Sequence, residues 1–131
     1  MDFRRAIPAA KPAEKRRHVP VTTQDVQILE IANQLLSSET FWNRVDTRRC
    51  LPQATKLSLF CALRQACIQV LGSFHHRGTA LQEVRFVIDE RGKDYEHRLM
   101  GFNNDPSTSF QDVKAVLSAA ADRLRRSLTA P

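Results

Sequence analysis

The sequence predicts an all-α domain of about four helices packed around a central, buried one. Three observations carry that reading. Apolar residues recur in steps of three and four after Thr22 and again from Val113 to Leu128, as one face of a helix requires. Between them, Leu57 to Leu71 is apolar almost all round, the pattern of a helix enclosed by others. Finally, one stretch, Val84 to Ile88, alternates like a strand, but no second segment exists to pair with it.

The first helix is predicted from Thr23 to Ser38. Thr22 serves as N-cap, Asp25 as its reciprocal partner, and Val21 and Val26 as the staple pair. Ile28, Leu29, Ala32, Leu35 and Leu36 form the inward stripe, and Gln27, Glu30 and Gln34 face water. An irregular connection follows from Ser37 to Lys56, with Pro52 ending it or opening the next helix. That helix, Gln53 to Gly72, has only Ser58, Gln65 and Gln69 as a polar seam and Gly72 as C-cap.

Thr79 caps a third helix, TALQEVRFVIDERG, with Glu83, Asp89 and Glu90 on its wet face. For the last helix, Ser109 and Asp112 form a capping box behind Pro106, and Arg123, Arg125 and Arg126 complement the dipole at its C-terminal end.

A chain of 131 residues holds one core. Residues 1–20 carry six Lys/Arg and two acids, and the rest carries fourteen bases and twelve acids. The basicity therefore belongs to a flexible tail, residues 1–20, ahead of a helical domain, residues 21–131. With no long apolar run there is no membrane span, and three cysteines, two of them inside an apolar helical pattern, suit a reducing cytoplasm.

The side chains that could do chemistry are scattered. Cys61 and Cys67 read as buried thiols and His75-His76 as a wet pair, so neither a metal nor another cofactor is expected. Cys50, beside Arg48-Arg49, is the one cysteine in an electropositive setting. Arg4, Arg5, Lys11, Lys15, Arg16 and Arg17 form a candidate nucleic-acid arm, with Phe41-Trp42 as a stacking surface. In GFNNDPSTSFQDVKAVL, the half from Ser109 is helix entry. Phe102, Asn103, Asn104 and Asp105 read as a polar loop, which with Trp42 is a candidate contact for a partner or ligand.

Residues 22–128 resemble a family of small uncharacterised bacterial and bacteriophage proteins, a domain of unknown function. Ser58-Leu59-Phe60-Cys61-Ala62-Leu63 lies on its Cys-Ala-Leu-Gly-Ala-Leu helix. Phe102-Asn103-Asn104-Asp105-Pro106, with Ser109, Asp112 and Val113, lies on its Trp-Asn-Asp-x-Pro motif before the last helix. The chain departs by carrying Ser58 for Cys, Cys61 for Gly, Phe102 for Trp and Asn104 for Asp. The resemblance implies a helical fold and no particular activity, and an amide at Asn104 removes an acid/base group unless Asp105 replaces it.

With no convergent catalytic set, the expectation is a non-enzymatic accessory or regulatory protein of the cytoplasm that acts through a protein partner. The alternative is a nucleic-acid-associated protein using residues 1–20, and a third reading is an enzyme using Asp105 or His97.

Overall fold

The computed structural model describes residues 20–129, which form five α-helices and no strand. The expected tail lies almost wholly outside the described residues, as do all six bases of the candidate arm. Helix α1 is Thr23–Leu35, α2 Leu59–Leu71, α3 Thr79–Asp89, α4 Arg98–Asn104 and α5 Phe110–Thr129.

Helix α1 begins as its sequence dictates. Thr22 accepts from the Asp25 amide and the Asp25 carboxylate accepts from the Thr22 amide at 2.8 Å. Ile28, Leu29, Ala32 and Leu36 are buried, and α1 packs against both α2 and α5, with α3 on a third side. It thus holds the middle of the bundle. Helix α2 is less enclosed than its composition suggests, because Ile68 and Leu71 remain exposed on its outer face.

Helix α2 also starts six residues later than the sequence indicates. Leu57 pairs its backbone with the Trp42 segment: its amide donates to the Phe41 carbonyl at 2.8 Å, and its carbonyl accepts from the Asn43 amide at 2.9 Å. That pairing needs extended backbone at Leu57, so Pro52 to Lys56 stay outside the helix and Ser58 caps it, accepting from the Cys61 amide at 3.1 Å. Gly72 ends α2 in the left-handed region, at φ 81°.

Helix α3 is a helix as expected, with Gly78 rather than Thr79 at its N-cap. Glu83, however, is not on a wet face. It is 1% exposed, with the Arg123 guanidinium of α5 at 3.7 Å. The sequence places Phe102 to Asn104 in a loop, but they close helix α4. Its seven residues fold because Leu99, Phe102 and Asn103 all turn into the core, a tertiary demand that overrides weak local propensity. Ser109 and Asp112 form the anticipated box at the start of α5, with bonds of 2.8 and 3.0 Å.

Candidate functional site

Three of the five residues singled out as a contact surface turn inward, while Asn104 stays exposed and Asp105 is half-buried. Trp42, Phe102 and Asn103 are 4%, 3% and 0% exposed. The Asn103 side-chain oxygen accepts from the Trp42 indole at 2.8 Å and from the Leu59 amide, the first of α2, at 3.0 Å. Its nitrogen donates to the Asn43 carbonyl at 3.1 Å and to Asn104 Oδ1 at 3.0 Å. Asn104 pairs with both backbone groups of Asp46, at 2.7 and 3.0 Å. These two amides fasten the connection between α1 and α2 onto the end of α4. Trp42 is no stacking platform beside exposed Phe41, since the Arg44 guanidinium already lies 4.8 Å from its ring centre.

Asp105 is similarly engaged. Lys93 Nζ at 2.8 Å, the Tyr95 hydroxyl at 2.6 Å and Ser107 hold its carboxylate ionised, well below the usual carboxylate range. Burial first, then the hydrogen bond to Asp105, pushes the Tyr95 hydroxyl up to about 12. A carboxylate so held is poorly suited to exchange protons at neutral pH. It does not line the cleft that holds His97.

A different set of side chains converges. A cleft of about 190 Å³ opens between the connection ahead of α2, the start of α3 and the start of α4. Four arginines line it, Arg48, Arg77, Arg85 and Arg98, together with His76, His97 and one acid, Glu96. Arg85 is 8% exposed, and its Nη1 donates only to neutral acceptors, the His76 carbonyl at 3.1 Å and Gln82 Oε1 at 2.6 Å. Among the described residues it has no carboxylate partner. Burial, and then the charges of Arg98, Arg77 and Arg48, pull its guanidinium down to about 10, still fully charged at neutral pH. Burial, and then Arg85, Arg77 and Arg48, also lower the His76 imidazole from its ordinary value, so it is neutral at pH 7. Of the four arginines, only Arg98 has a paired charge among the described residues, Asp89 at 2.8 Å.

Local structure aims these groups. Arg48 adopts the left-handed region at φ 64°, where a side chain costs about 1 kcal/mol or more, held by its amide donating to Asp46 Oδ1 at 2.8 Å. His76 lies in an edge-to-face cluster with Phe60 and Phe74, centroids 6.3 and 5.9 Å away. Sequence reasoning missed the cleft because its arginines come from three distant segments. One signal was present: Arg85 falls between Leu81 and Ile88 on the apolar stripe of α3, where a charge must have a reason.

The cysteines also depart from expectation. Cys50 and Cys61 form a disulfide with Cα atoms 5.4 Å apart, so Cys61 is not the buried thiol expected and Cys50 is not a free one, while Cys67 is free and buried as expected. Burial raises the Cys67 thiol pKa further. No group of His, Cys, Asp and Glu suited to a metal ion occurs among the described residues, and none of their helices is long and apolar enough to cross a membrane.

A model of a family of unknown function, DUF6197, matches residues 20–123. The chain belongs to that family. The match contains the whole cleft, both disulfide cysteines and the Asn103 cluster, so these features fall within the DUF6197 domain itself. No curated protein matches the chain, and no solved structure does.

Proposed function

We propose that this DUF6197 protein is a non-enzymatic accessory protein of the cytoplasm that grips an anionic group of a protein partner in its arginine cleft. The group that suits the site is a phosphate monoester. The observation that supports this is Arg85, more than nine-tenths buried, charged and facing three further guanidinium groups without a carboxylate of its own among the described residues. Planar guanidinium forks match phosphate oxygens two at a time, and desolvation strengthens each contact. Four of them converging on about 190 Å³ favour a compact dianion. The singly charged phosphodiesters of a nucleic acid, spaced along a strand, call instead for a track of cations.

Calorimetric titration tests this with inorganic phosphate, a phosphoserine peptide and an oligonucleotide. Phosphate and the phosphopeptide are expected to bind and compete. Arg85→Gln, which keeps most of the side-chain volume, is expected to weaken both by about tenfold or more, equivalent to one charge-assisted hydrogen bond. Binding unchanged in R85Q sinks the reading, and preference for the oligonucleotide transfers the cleft to the nucleic-acid alternative.

A further inference from the structure

A second, smaller cavity of about 80 Å³ lies beside the disulfide, lined by Cys50 and Cys61 together with Asp46, Arg49, Lys56 and Ser58. Three observations about it converge. Asp46 is 3% exposed, and while its Oδ1 accepts from the Arg48 amide, its buried Oδ2 has no hydrogen-bond partner among the described residues. A carboxylate oxygen left bare in the interior is costly, and such atoms call for an explanation. Cys50 is half-buried while Cys61 is 6% exposed, so an incoming thiol reaches the Cys50 sulfur first. Cys61 is the third residue of α2, in the first turn, where the helix end stabilises a departing thiolate.

We infer that Cys50–Cys61 is a redox-active disulfide that exchanges with low-molecular-weight monothiols of the glutathione class, with Asp46 as its proton carrier. In the reducing direction an external thiolate attacks Cys50 Sγ. The Cys50–Cys61 bond breaks, its electron pair leaves on Cys61 Sγ, and a mixed disulfide forms at Cys50. A second external thiolate attacks the external sulfur of that mixed disulfide and releases Cys50 as thiolate. Two external thiols become one external disulfide, and their two protons end on Cys50 and Cys61. In the oxidising direction the Cys50 thiolate attacks an external disulfide, expelling one external thiolate and leaving the mixed disulfide; Asp46 then takes the Cys61 proton, and the Cys61 thiolate attacks Cys50 Sγ and expels the second external thiolate. A bond that cycles in this way is also the kind that a reducing compartment tolerates.

The test equilibrates the full-length protein, without denaturant, in buffers of graded reduced-to-oxidised glutathione. Alkylation after acid quench and mass spectrometry count the thiols, and circular dichroism follows the fold. The expected result is a reversible two-thiol transition with native helix content and a transient glutathione adduct on Cys50. Cys61→Ser should trap that adduct on Cys50. Asp46→Asn, which keeps an acceptor for the Arg48 amide, should slow exchange by about a hundredfold and flatten its pH dependence. A disulfide that resists glutathione until the protein unfolds overturns the inference, as does an adduct on Cys61 in the wild-type chain. Wild-type exchange rates in the folded D46N variant overturn the role of Asp46.

Discussion

Asn103 uses its whole hydrogen-bonding capacity inside the protein, two bonds accepted and two donated, at 0% exposure. Its partners would be stranded without it. Asn103→Ala leaves the Trp42 indole, the Leu59 amide and the Asn43 carbonyl without this partner, at about 1 kcal/mol or more each. A loss of about 3 kcal/mol in urea unfolding is therefore expected, and N103D should be no better, because a carboxylate cannot donate to the Asn43 carbonyl or to Asn104. Little loss in N103A would show that water replaces the amide. That Asn103 is polar and close to a proline is plain in the sequence, and both facts suit a surface turn. What decides its place is the Leu59 amide 44 residues away, and no local pattern encodes that distance.

At the scale of elements, the boundaries that can be read from sequence are those built from near neighbours. Thr22 with Asp25 and Ser109 with Asp112 each close a box within three residues, so α1 and α5 begin where the sequence places them. The ends that depend on a distant partner are opaque. The start of α2 is set by the Trp42 segment, and α4 exists because the core accepts three of its side chains. The C-terminal end of α1 belongs to the same class: Lys114 of α5 donates to the Asn33 carbonyl at 2.6 Å and to the Leu36 carbonyl at 2.8 Å. There it serves as both cap and counter-charge to the helix dipole, even though burial lowers its pKa. Lys114→Met keeps the stem and removes the cap. It should cost about 1–2 kcal/mol and speed amide exchange selectively in the last turn of α1. Uniform acceleration across all helices would instead mean that the lysine supports the bundle as a whole.

For the whole molecule, the decisive arrangement is one that averaging conceals. Outside its first twenty residues the chain is nearly neutral, with fourteen bases against twelve acids, yet four arginines collect at one cleft. Burial at the cleft, with the repulsion of these arginines added to it, has a pH signature at His76. The native His76 pKa lies below its ordinary 6.5, so the unfolded chain binds more protons as pH falls through that value. The stability linked to His76 is therefore complete above about pH 6.5 and declines below it until the depressed native pKa is passed. A bound dianion should reverse the local effect. Sulfate, whose charge is constant over this range, is expected to bind more tightly as pH falls from about 7.5 to about 5.5, with proton uptake visible in buffers of different ionisation enthalpy. His97 and Glu96 face the same space, so His76→Gln should abolish most of that uptake; uptake unchanged in H76Q would assign it to one of those two.

The fastening of the α1–α2 connection has an optical consequence. Trp42, the chain's single tryptophan, is held on that connection by Asn103, beneath Arg44 and 6.1 Å from Phe110. The same connection carries Arg48 to one cavity and Asp46 and Cys50 to the other. An enclosed indole emits toward the blue and shifts red when water reaches it, so loosening this segment changes the colour of the protein's own light. The molecule carries, without any label, a fluorophore seated on the backbone that these two cavities share.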